Sequence, residues 1–108
     1  MGWLSKDREK VQGVYGILCQ ANGKWYVGAG KNINVRFYNH FADARISPRH
    51  SHLYDDMQEY GRDSFEAYLL EEVDDTRILS QRELFWQKKL NSKDGGYNQE
   101  YAGKHRSW

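Results

Sequence analysis

Apolar and polar residues change period along this chain, and each change marks an element. From Gly13 to Gly30 two short apolar runs, GVYGILCQ and KWYVGAG, flank Asn22-Gly23. Asn-Gly between two such runs signals a tight hairpin, because a type I′ turn needs φ > 0 at both central residues. The pattern predicts strands over 13–20 and 24–29, with a two-residue loop and paired residue numbers summing to 45. Tyr15 then lies opposite Gly30, and Tyr26 opposite Cys19. Side chains alternate faces with period two, so Tyr15, Ile17 and Cys19 share a face with Tyr26, Gly28 and Gly30. Val14, Leu18, Trp25, Val27 and Ala29 form the other face, which reads as the core face.

Beyond the hairpin the period lengthens. Ile33, Phe37, Phe41 and Ala44 recur at helical spacing and predict a helix over 33–45, capped by Asn32 or Asn34. Arg36 and His40, four apart, share a second face of that helix. Leu53, Met57 and Tyr60 predict another helix over 51–60, closed by Gly61. FEAYLLEEV over 65–73 has the length and content of a third strand, with imperfect alternation. A last helix is expected over 76–90, capped by Asp74 or Asp75, with Lys88 and Lys89 in the turn where the helix dipole favours cations. The order is ββααβα, a small α/β domain of three strands flanked by about three helices. Residues 1–12 read as a polar lead-in, 13–98 as the domain and 99–108 as a short basic tail.

Composition narrows the class. At 108 residues, with 39% hydrophobic and 15% aromatic residues, the chain supports one modest core. Its one cysteine, Cys19, allows no internal disulfide, and no apolar run reaches the length of a membrane span. The expectation is a cytoplasmic protein without a membrane partner. The net charge of +1 conceals a strong asymmetry. Residues 1–30 carry +2, residues 31–52 carry +3 with three histidines, residues 53–75 carry −8 and residues 76–108 carry +4. Basic segments gathered on one face would attract phosphates while the acidic stretch faces away. A well-mixed surface is the alternative.

Glu83 carries the most chemical information. It falls among Leu79, Trp86 and Leu90 on the inward stripe of the last helix, where a carboxylate is costly unless it is paired or holds a cation. A buried ion pair with Arg36 and a metal site both satisfy that requirement. Gly28-x-Gly30 suits a close approach to the sheet, but no third glycine opens the helix, so it is not a dinucleotide fingerprint. His50 and His52 could face one side of an extended segment and lack a third metal ligand.

Gly13-Val14-Tyr15 and Tyr26-Val27-Gly28 resemble the two motifs that name the GIY-YIG nucleases. Arg36 and His40 on the first helix, Glu83 in RELFWQKKLN and Asn98 in GGYN continue the resemblance from Gly13 to Asn98. The likeness is greatest to the catalytic domain of phage intron-encoded homing endonucleases. Val14 and Val27 are conservative departures from the usual isoleucine. The resemblance implies a mainly antiparallel three-stranded sheet and an endonuclease that hydrolyses DNA phosphodiesters, with double-stranded DNA as the expected substrate. It further implies one Mg²⁺ or Mn²⁺ ion held by Glu83 and a tyrosine that activates water. Tyr15 takes that role here, Tyr26 and Arg36 the phosphate, and His40 the proton relay. Gly28 and Asn98 support the site, and Lys31, Arg36, Arg45 and Arg49 contact nucleic acid. Relatives with sequence specificity add a separate DNA-reading domain, for which the ten residues after Asn98 are too few. A non-catalytic nucleic-acid-binding module on the same scaffold, or a catalytic fragment needing a DNA-reading domain or protein partner, remain the alternatives.

Overall fold

A computed structural model describes residues 11–31, 33, 52–98, 101 and 102. The expected helix over 33–45 lies outside the described residues except for Ile33. β1 (Gly13–Cys19) and β2 (Trp25–Gly30) form the hairpin, followed by α1 (His52–Tyr60), β3 (Phe65–Glu72) and α2 (Leu79–Lys89). The sheet is antiparallel throughout in the order β2-β1-β3. No described helix is long and apolar enough to cross a membrane.

The hairpin register corrects the expected one. Tyr15 pairs with Gly28 and Ile17 with Tyr26, so paired numbers sum to 43. The reason lies in the turn. Asn22 does not take a left-handed conformation; its side-chain oxygen accepts from the Lys24 N–H at 2.9 Å, and only Gly23 has positive φ there, at +76°. The Gly23 N–H reaches back to the Cys19 carbonyl at 2.8 Å, and the Cys19 N–H donates to the Lys24 carbonyl at 2.9 Å. This four-residue loop moves the register by two residues. A shift of two preserves side-chain parity, so the expected faces survive while every pair changes.

Both faces of the sheet are buried, as suits a central strand with almost no polar side chain. On the Tyr15 face, Ile17, Cys19, Phe65 and Ala67 pack against Ile33, against Leu53 and Met57 of α1, and against Tyr97. That face is core as well as candidate site. On the other face, Val14, Val27 and Ala29 pack with Val73 and Leu79, and Leu70, Trp86 and Leu90 close the edge. Tyr60, expected on the inward stripe of α1, is exposed instead. Gly61 ends α1 at φ +82°, its N–H bonded to the Met57 carbonyl at 3.1 Å.

The imperfect alternation of β3 has a structural cause. Val14 pairs with Glu71 while Tyr15 pairs with Leu69, so Leu70 is an extra residue in a bulge directly beside Tyr15. The bulge puts Leu70 and Glu71 on the α2 side. There Glu71 takes both the Arg82 Nε, at 2.9 Å, and the Trp86 indole N–H, at 3.0 Å, tying β3 to the helix. The expected helix over 76–90 begins with a separate 3₁₀ turn, Thr76–Ile78. Asp75 caps that turn through the Arg77 N–H and pairs with the Arg77 guanidinium, which holds its carboxyl below the usual range.

Residues on either side of 13–98 also pack on the domain. Val11 is buried, and its carbonyl accepts the Ile33 N–H at 3.0 Å. The Gln12 side chain donates to the Val73 carbonyl at 2.8 Å. At the other end Ala102 is buried, and its N–H donates to the Gln87 side chain at 2.7 Å.

Candidate active site

The site begins with the pair Tyr15–Gly28. Tyr15 is fully buried and its ring lies across Gly28. A Cβ at Gly28 would overlap the Tyr15 hydroxyl and stand 2.5 Å from Cζ and 2.8 Å from Cε1. The phenol occupies the space a side chain at position 28 would need, which is the physical demand for glycine there. Tyr26, two pairs further along the hairpin, is half-buried, and its ring centroid lies 6.3 Å from that of Tyr15 with a tilt of 46°. The two phenols form one aromatic pair on one face, a normal favourable spacing.

β2 is an edge strand, and an unpaired edge is mobile and sticky unless it is covered. The segment ending at Asn98 covers it. The Tyr97 N–H donates to the Trp25 carbonyl at 2.9 Å. Asn98 then behaves like a strand residue with its side chain: the Val27 N–H donates to its Oδ1 at 2.8 Å, and its Nδ2 donates to the Val27 carbonyl at 2.9 Å. The Asn98 N–H is bonded in turn to the Ser92 carbonyl at 2.7 Å. Asn98 thus fixes the residue between Tyr26 and Gly28.

A second brace holds the hairpin tip. The Tyr97 hydroxyl donates to Asp56 Oδ2 at 2.7 Å, and Asn22 Nδ2 donates to the same carboxylate oxygen at 3.0 Å. Burial, reinforced by this hydrogen bond to a carboxylate, pushes the Tyr97 phenol well above its ordinary pKa. The turn, α1 and the segment that carries Asn98 therefore meet at one carboxylate.

Glu83 is fully buried on α2, in line with Leu79 and Gln87 at four-residue spacing. This agrees with an inward carboxylate, but α2 covers the sheet face opposite Tyr15 and Tyr26. The described residues therefore place the two tyrosines together on one face of the sheet and pack the helix that carries Glu83 on the other. Gly30 is buried and Lys31 exposed. Arg36, His40, Arg45 and Arg49 lie outside the described residues, as does His50. Among the described residues no group of three or more His, Cys, Asp or Glu gathers to hold a metal. The donor chemistry on offer is one buried carboxylate, which fits an ion that retains its waters, as Mg²⁺ does.

Three contributors escaped the sequence reading. Gln87 is 1% exposed, deeper than the half-buried Trp86 that was expected on the stripe. Its place four residues after Glu83 was the available signal. Tyr97 and Ser92 act through a loop, where no periodicity points to them.

A tyrosine on one strand that requires a glycine on its neighbour couples the tripeptides Gly13–Tyr15 and Tyr26–Gly28 into a single unit, and that unit defines the class. The chain belongs to the GIY-YIG family: the family's catalytic domain matches residues 11–98. The chain is 38% identical over 88 residues to intron-associated endonuclease 1 of Enterobacteria phage T4, a match covering 80% of this chain and 36% of that protein. It thus spans about a third of the length of that relative. Among solved structures it is similar to a glutamate-to-alanine mutant of the catalytic domain of intron endonuclease I-TevI. That likeness has a TM-score of 0.77 and 35% identity, covering 85% of this chain and 96% of that one. The catalytic domain of homing endonuclease I-TevI gives a TM-score of 0.73 at 36% identity, covering 81% and 96%.

Proposed function

We propose that this domain is a divalent-metal-dependent endonuclease that hydrolyses DNA phosphodiesters, with double-stranded DNA as substrate. The observation that supports it best is the Tyr15–Gly28 unit with Tyr26 beside it, set within a chain whose relative and structural neighbours are named as endonucleases. In this reading Tyr15 takes a proton from the attacking water. A phenol with an ordinary pKa of about 10 needs nearby positive charge to act as a base at neutral pH. Arg36 would supply such charge and, with Tyr26, orient the phosphate through its planar fork. His40 passes the proton on. Glu83 would hold one Mg²⁺ or Mn²⁺, which when bound supplies positive charge against the charge developing on the phosphate oxygens.

The layered placement constrains the substrate. If the tyrosines and Glu83 serve one phosphate, that phosphate lies at the rim of the sheet, where the two layers meet, and not flat on either face. The Gly30 end of edge strand β2, beyond the Gly28 that Tyr15 covers, is the rim this reading favours. Lys31 stands exposed there to meet the strand. The share of the T4 relative left uncovered supports a catalytic part that works with a separate DNA-reading domain or partner.

The test is supercoiled plasmid incubated with the 108-residue chain in Mg²⁺, in Mn²⁺ and in EDTA. Nicking or linearisation with the metals and none in EDTA is expected. Failure of the folded chain to cut several DNA substrates in either metal would favour a non-catalytic binding module or a catalytic fragment that needs its DNA-reading partner.

A further inference from the structure

The outward side of α2 is chemically unlike its inward side. Leu79, Glu83 and Gln87 are buried, while Gln81, Phe85, Lys88 and Lys89 are exposed about half a turn away. Phe85 is 43% exposed. The Arg82 guanidinium lies 4.4 Å and the Lys89 Nζ 5.8 Å from its ring centroid. One turn on, the Nζ atoms of Lys88 and Lys93 lie 5.8 Å and 5.1 Å from the ring centroid of Tyr101.

A solvated helix face usually alternates cations with carboxylates. Here the only acidic residue of α2 is Glu83, which is buried. Among the described residues, Glu71 pairs with Arg82 and Asp94 with Lys93, and neither Lys88 nor Lys89 has an ion pair. The surface therefore combines two lysines without an ion pair, Lys88 and Lys89, with the exposed ring of Phe85 and the half-buried ring of Tyr101. A duplex keeps its bases stacked inside, so it would use the charge and leave the rings idle. A strand with unpaired bases uses both, phosphates on the lysines and a base on the ring.

We infer that the outer face of α2, with Phe85, Lys88, Lys89, Lys93 and Tyr101, is a second nucleic-acid contact surface that takes single-stranded nucleic acid. It lies on the side of α2 turned away from the sheet, so the strand held there is not the phosphate under attack. The inference goes beyond the cleavage reading and does not depend on it.

The experiment is fluorescence anisotropy of an end-labelled 20-nucleotide oligo-dT with the full chain in EDTA, where no cleavage interferes, over a range of salt concentrations. Circular dichroism confirms the fold of each variant. Replacing Lys88, Lys89 and Lys93 by Gln should lower the slope of log K against log salt by about 2, from about 0.7 per phosphate contact on single strands. Phe85→Ala should weaken binding about tenfold at unchanged slope, as loss of one base stack does. A wild-type slope in the folded triple variant overturns the inference. So does unaltered binding by Phe85→Ala, or an equal loss on duplex DNA. Competition by poly-glutamate as effective as that by unlabelled oligo-dT would assign the face to acidic protein and also overturn it. Plasmid nicking reads the cleavage centre separately, so a chain that binds oligo-dT but cuts nothing contradicts only the nuclease reading.

Discussion

Gly28→Ala tests the geometry at the heart of the site. The added Cβ would stand 2.5 Å from Tyr15 Cζ, with the hydroxyl in direct overlap. Ordinary carbon contacts lie at about 3.5–4.0 Å, so the ring must retreat by about 1 Å. It has little room, since Tyr15 is fully buried among Ile17, Ile33 and Leu53. Overpacking of this kind costs about 1–3 kcal/mol. At roughly 4–8 °C per kcal/mol for a domain near this size, thermal unfolding should fall by about 4–24 °C. A catalytic group displaced by about 1 Å loses on the order of 100-fold in rate.

Stability loss alone could mimic that effect, so the matched control is Gly16→Ala. Gly16 neighbours Tyr15 in β1, but its Cβ would point to the other face, 2.8 Å from the Trp25 ring. It should destabilise comparably and leave Tyr15 in place. The assay is single-turnover nicking well below both unfolding midpoints, with circular dichroism for stability. Cleavage at the wild-type rate by folded Gly28→Ala, or an equal loss in both variants, refutes the reasoning.

Other outcomes follow from the braces. Asn98→Ala strands the N–H and carbonyl of Val27, and should cost about 2–4 kcal/mol and speed hydrogen exchange at the Val27 amide, read by denaturant midpoint and NMR. Tyr97→Phe removes the hydrogen bond to Asp56 and should cost about 1–2 kcal/mol near neutral pH. Because the Tyr97 phenol is raised in the folded state, that contribution is complete below about pH 10, the unfolded value, and fades as pH rises towards the folded one. Unfolding of wild type and variant measured from pH 7 to 11 should therefore converge at the alkaline end.

What was legible in the sequence was set by periodicity. Alternation in β1 and β2 placed Tyr15 and Tyr26 on one face, and helical spacing turned Glu83 inward. Both hold even though the hairpin register moved, because parity survives a shift of two. The register itself depended on whether Asn22 would take a left-handed backbone, and a side-chain bond to Lys24 decided otherwise. The bulge at Leu70 hid in the same way: two adjacent leucines look like lost alternation until β1 pairs Tyr15 with Leu69 and Val14 with Glu71 and leaves Leu70 over. The bracing of Val27 by Asn98 spans 71 residues, and no local pattern encodes a contact at that distance. The roles proposed for Tyr15, Arg36, His40 and Glu83 come from the family motifs and not from the periodicity.

The most direct measurement compares wild type with Glu83→Ala and the isosteric Glu83→Gln in plasmid cleavage, alongside the shift of thermal midpoint on adding Mn²⁺. A ligand that binds only the folded state raises that midpoint. Wild type should cut and be stabilised by Mn²⁺, and both variants should fold, lose cleavage and lose the shift. Metal-dependent cleavage retained by either folded variant would contradict Glu83 as the residue that holds the metal.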